Sequence, residues 1–115
     1  MKNFNIGDIV FVAKYQYKSG EPGENHFLVI IDDGQAIDID SYFGFLLTSN
    51  QQQMKYRYNK PLNKNEKNHL KKDSVVKCDD FIEISEREIK FKVGEVEQND
   101  LDRCLNTYME YLENN

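Results

Sequence analysis

The chain has 115 residues, 39% of them hydrophobic, 12% aromatic and 30% charged. That supplies apolar surface for one core and room for a single domain spanning 1–115, and it departs from the composition of disordered chains. The net charge is −5, yet residues 55–72 hold seven basic side chains and one acidic one, so a polyanion contact is expected on an otherwise acidic protein, unless the segment is simply a solvated loop.

No apolar run approaches the length of a membrane span, and the start MKNFNIGD lacks the charged and apolar regions of a signal peptide, so a cytoplasmic location with no membrane contact is expected. Cys78 and Cys104 are the only cysteines. Their spacing and neighbours supply no metal or redox set, so both read as buried thiols and no cofactor is expected.

Ile9, Phe11, Ala13, Tyr15 and Tyr17 alternate with Val10, Val12, Lys14 and Gln16, the period of a strand. The strand opens after Gly7-Asp8 and closes at Ser19-Gly20-Glu21-Pro22-Gly23, where two Gly and a Pro call for a loop. Phe27–Ile31 is a short β-branched run ending at Asp32-Asp33-Gly34, a hairpin signal. Ala36, Ile37 and Ile39 then alternate with acids, and Phe43–Thr48 forms another apolar stretch.

Ser49–Gln53 is polar. Met54–Tyr58 reads as a resumed strand, and Asn59–Asn68 as an exposed Lys/Asn-rich loop. Ser74–Cys78 and Phe81–Ile84 are two further short runs, and Ile89–Val93 alternates with lysines. Six to eight short strands separated by turns predict a small barrel or sandwich.

The last segment changes period. Leu101, Cys104, Leu105, Tyr108 and Leu112 mark one helix face. Asp100 and Asp102 are expected in its first turn, where they favour the positive end of the dipole, with Val96 stapled onto Leu101.

In this order GDIVFVA (7–13), SGEPGENHFLVII (19–31), LLTSN (46–50), LKKDSVVKCDDFIEI (70–84) and FKVGEVEQNDLDRCLNTY (91–108) give the chain its resemblance. It resembles the MazF/PemK toxins of type II toxin–antitoxin systems over nearly its whole length. The resemblance implies a mainly β fold, an SH3-like barrel with a C-terminal helix. It also implies a homodimer, a cognate antitoxin partner and, in active members, metal-independent cleavage of single-stranded RNA.

Active members carry an arginine just before the second strand and a threonine at the end of a later one. Thr48 matches the threonine, and the arginine position holds His26, followed by Phe27 where a proline is usual. Arginine offers a permanent charge and a planar fork, whereas an imidazole is suited to general acid or base work. A histidine at a strand edge without chemistry remains the alternative.

Thr48 and Ser49 could equally finish a strand and start a turn. Gly20 and Gly23 would let a loop from Ser19 to Asn25 approach phosphates, against the charges of Glu21 and Glu24. Lys55, Tyr56, Arg57 and Tyr58 combine positive charge with rings on which bases stack, and an acidic antitoxin segment would use the same charges. His69 reads as a surface residue.

Two rivals to a toxin endoribonuclease stand beside it. One is a non-catalytic barrel of the same fold that binds nucleic acid or protein. The other is an inhibitor encoded by a mobile element.

Overall fold

The computed structural model describes residues 2–34 and 40–114. Among these, six strands and one long helix follow in the order β1 (Asp8–Gln16), β2 (Pro22–Asp32), β3 (Ser41–Thr48), β4 (Asn59–Leu62), β5 (Ser74–Ser85), β6 (Ile89–Glu95) and α1 (Gln98–Glu113). The strands form one antiparallel sheet in the order β4-β5-β3-β2-β1-β6. The strand expected over Ala36–Ile39 lies outside the described residues.

The central strands bury both faces, which explains their continuous apolar runs. Ile9, Val29, Phe45 and Val76 point to a cluster under α1 that includes Leu101 and Cys104. Val10, Val12, Leu28, Ile30, Leu46 and Ile82 form a second cluster on the other face of the sheet. A curled sheet with a helix over one face is a barrel-like SH3 arrangement.

Closure of the barrel comes from a loop rather than a strand pair. The segment after β4 swings across to β6, where the Glu95 amide donates to the Lys67 carbonyl at 3.1 Å. Gly94 makes this approach possible, because a Cβ there would fall 2.2 Å from the Asn68 carbonyl oxygen.

Several sequence expectations are corrected. Met54–Tyr58, expected to resume a strand, does not: Met54 and Lys55 end a short 3₁₀ turn over Gln51–Lys55, capped by the Asn50 side chain, which accepts from the Gln52 amide at 3.0 Å. Asn59–Leu62, expected in a loop, is an edge strand. Pro61 is tolerated there because an edge leaves amides without ladder partners.

The two runs around Cys78 and Phe81 are one strand of 12 residues, continuous through Asp79-Asp80. The pairing of β3 with β5 shifts register between Phe45 and Leu47, a bulge that lets this long strand bend from one part of the curl to the next.

In β1 the period of two breaks beyond Val12, since Tyr15 shares a cluster with Val10 and Val12. Facing this point on β2, Asn25 takes a left-handed φ of 57°. In α1, Leu101 and Cys104 are buried, but Leu112 is exposed where the helix runs past the sheet, and Thr107 is buried instead. Asp100 is in the first turn, while Asp102 lies beyond it. Val96 joins Leu101 in the core as the staple requires. Both cysteines are buried, and no described helix is long and apolar enough to cross a membrane.

Candidate active site

The register of β2 with β3 pairs Leu28 with Leu46 and Val29 with Phe45. Continuing it by two residues brings Thr48, at the end of β3, level with His26 on β2. Both line one groove of about 530 Å³. Strand pairing thus unites two residues that lie 22 positions apart.

The groove has an apolar floor and a polar rim. Phe11 of β1 is paired with Phe27 of β2 and Phe91 of β6. Its ring stacks on that of Phe91 at 5.1 Å between centroids and meets Phe27 edge-on at 5.5 Å. Leu47, Leu70 and Val93 complete the floor. Phe91 is 52% exposed, so part of this aromatic surface is open to a flat ligand.

His26, Thr48, Ser49, His69, Lys71 and Lys72 form the rim. None of the ion pairs among the described residues involves Lys71 or Lys72. Their charge is therefore available to an anion in the groove.

His26 is held through one ring nitrogen. Its Nδ1 lies 2.8 Å from the Tyr15 hydroxyl and 3.3 Å from the Glu24 carbonyl oxygen. A carbonyl can only accept, which favours the tautomer with hydrogen on Nδ1, since a Tyr15 hydroxyl that donates to Tyr17 is left to accept from the imidazole. Tyr15 then accepts from the imidazole and donates to the Tyr17 hydroxyl, 3.0 Å away. Nε2 keeps its lone pair and is the nitrogen left for the groove.

Tyr15 is suited to this role because it is fixed and stays protonated. It is only 8% exposed. Burial, reinforced by the hydrogen bond with Tyr17, pushes its hydroxyl well above the usual phenol range. Gly23 lies beneath the ring, where a Cβ would come within 2.5 Å of Tyr15 Cε2. The glycine makes room for the tyrosine.

Thr48 is also oriented. Its Oγ1 accepts from the Asn50 amide at 3.2 Å, which leaves the hydroxyl hydrogen free to donate. The Thr-Ser-Asn sequence therefore serves as strand end, turn and donor at once.

Not every expected residue reaches the groove. The loop expected from Ser19 to Asn25 is shorter, because β2 begins at Pro22. Gly20 sits in the β1–β2 turn, its amide donating to Tyr17, and neither it nor Gly23 lines the groove. Lys55, Tyr56, Arg57 and Tyr58 lie elsewhere. Arg57 pairs with Glu110 of α1 at 3.1 Å, and the Tyr58 ring meets that of Tyr111 at 5.2 Å.

His69, Lys71 and Lys72 come from the loop before β5, and His69, which reads from the sequence as a surface residue only, lines the groove. The available signal was the LKK that leads into Asp73-Ser74-Val75. Among the described residues no cluster of three or more His, Cys, Asp or Glu side chains is arranged to hold a metal.

Comparison with known proteins agrees with this architecture. No curated protein sequence matches the chain. A solved structure described as an endoribonuclease from mycobacterial species superposes with a TM-score of 0.63 at 14% identity, covering 98% of this chain and 94% of the other. Residues 5–112 match the family described as PemK-like, MazF-like toxin of type II toxin-antitoxin system. With all six strands and all but the last residue of the helix inside that match, the chain belongs to the PemK-like, MazF-like toxin family.

Proposed function

We propose that the protein is a toxin endoribonuclease that cleaves single-stranded RNA without a metal ion and is neutralised by a cognate antitoxin. The observation that carries this reading is the shared groove. One fixed imidazole, one oriented hydroxyl and two unpaired lysines surround an aromatic floor.

In this mechanism His26 Nε2 takes the proton from the ribose 2′-OH, and the 2′ oxygen attacks the adjacent phosphorus. Thr48 donates its hydroxyl hydrogen to a non-bridging phosphoryl oxygen, Ser49 lies next to it, and Lys71 and Lys72 offset the growing negative charge. Phe91, Phe11 and Phe27 offer ring faces and edges to unpaired bases. In this set Lys71 and Lys72 take the phosphate role first expected of Lys55 and Arg57. Support for the RNA substrate comes from the toxin family and from the mycobacterial endoribonuclease of similar fold.

Incubation of the purified protein with a long single-stranded RNA in EDTA tests the reading. Cleavage is expected, with 2′,3′-cyclic phosphate ends, and His26→Ala is expected to abolish it. RNA left intact by the wild type across pH 5 to 8, yet retained on a filter, would favour a binding barrel instead. The imidazole in the arginine position is the observation behind that second reading. Homodimer formation and antitoxin binding belong to the same proposal, to be checked by light scattering alone and with the product of an adjacent reading frame.

A further inference from the structure

We infer that His69 is the general acid of the cleavage reaction, protonating the departing 5′ oxygen while His26 removes the 2′-OH proton. This rests on the endoribonuclease reading above and assigns it a second catalytic residue.

Three observations converge on His69. It lines the same groove as His26, in the company of Thr48, Lys71 and Lys72. Its backbone has φ 56°, a left-handed conformation that a non-glycine residue adopts at a cost. The residues around it form a rigid mount rather than a slack loop.

That mount is built by Asn68, which is fully buried. The Asn68 Oδ1 accepts from the amides of Asn65 and Leu70, both at 3.0 Å, and its Nδ2 donates to the Asn63 carbonyl at 2.9 Å. The His69 amide donates to the Asn65 carbonyl. Leu70 is buried in the core on the other side. With both neighbours locked inward, the exposed imidazole is presented at the rim.

A 2′-OH attack needs two proton transfers. The O2′–H bond breaks and O2′–P forms, with the proton going to His26 Nε2. The P–O5′ bond then breaks, and the departing oxygen takes a proton from protonated His69. One histidine gains the proton that the other loses, and exchange with water restores both. Lysine at 71 or 72 would stay charged and serve the phosphate better than the leaving group. His69 is the remaining imidazole in the groove.

The test compares two RNA oligonucleotides in EDTA, one natural and one whose scissile 5′ oxygen is replaced by bridging sulfur. A thiolate departs without a proton, so loss of the acid matters only for the oxygen substrate. His69→Asn is the variant of choice, because asparagine tolerates the left-handed backbone. It is expected to slow the natural substrate by roughly 10²- to 10⁴-fold while cleaving the sulfur substrate within a few-fold of wild type. His26→Ala should slow both.

Equal slowing of both substrates by His69→Asn, or of neither, would overturn the assignment. A wild type that cuts neither overturns the cleavage reading itself, and the inference with it. A thermal melt of His69→Asn matching wild type is the accompanying check that the fold is intact.

Discussion

The Tyr15 hydroxyl stands 2.8 Å from His26 Nδ1, and this contact gives an imidazole in an arginine position a defined orientation. Arginine would need no such support, since its charge and donors are permanent. A histidine base has to present the correct nitrogen, and a buried tyrosine sets which one.

Tyr15→Phe removes the acceptor while keeping the ring over Gly23. The expected result is a fall in cleavage rate of about five- to ten-fold, the kinetic equivalent of one hydrogen bond of about 1 kcal/mol. Nitrogen-15 NMR of His26 in its neutral form should show hydrogen on Nδ1 in the wild type and a shift towards Nε2 in the variant. An unchanged tautomer would remove Tyr15 from this role.

His26→Arg separates base catalysis from electrostatic stabilisation. Arginine carries a permanent charge and cannot take up the 2′-OH proton. The variant is therefore expected to bind RNA at least as tightly as wild type while its single-turnover cleavage falls by roughly 10²-fold or more. Cleavage by His26→Arg at the wild-type rate would assign the position an electrostatic role instead.

Asp80 gives a stability prediction away from the groove. Burial raises its carboxyl above the usual range, against the opposing charge of Lys77, and its Oδ1 is buried with no hydrogen-bond partner among the described residues. A carboxyl raised in the folded state binds its proton more readily there than when unfolded. Its ionisation therefore weakens the fold as pH climbs above the ordinary carboxylate range, about pH 4. Asp80→Asn is expected to raise the melting temperature at pH 7.5 and to lose that gain at pH 3.5. Equal shifts at both values would mean that charge is not the cause.

Much of this fold is legible in the chain because apolar period reports directly on burial. Ile9, Val10 and Val12, Leu28 to Ile31 and the Leu101–Cys104–Tyr108 face pack where their spacing suggests, while Phe27 opens onto the groove. β4 is hidden because an edge strand needs only Leu62 and its ladder to Ser74–Lys77, and Asn-Lys-Pro looks like a loop. Arg57 and Tyr58 offer a cation and a ring but meet Glu110 and Tyr111 of α1, since pattern in one dimension does not say which face of a barrel a segment joins. The sequence offers His26 and Thr48 as candidates through the family resemblance, and the β2–β3 register places both in one groove. It does not offer His69 as a candidate, because its place depends on Asn68 and on the close approach at Gly94, contacts that span 26 residues.

Asn68 is accordingly where stability and the groove meet. Its side chain makes three hydrogen bonds to backbone groups of Asn63, Asn65 and Leu70, and none of it is exposed. Asn68→Ala leaves those amides and that carbonyl without partners in a confined space, at a cost of about 1–3 kcal/mol for each group that water does not reach. An overall loss of roughly 2–4 kcal/mol is expected in urea unfolding. Cleavage by the fraction that remains folded should also fall, because the mount of His69, Lys71 and Lys72 loosens. Asn68→Asp offers the contrast: it keeps the acceptor for Asn65 and Leu70 but buries a charge, so its destabilisation should be greatest at neutral pH and relax as the carboxyl protonates in acid. If Asn68→Ala unfolds at the wild-type urea concentration, the 63–70 segment is not held by this side chain, and its rigidity must come from the packing of Leu70 and the contact at Gly94.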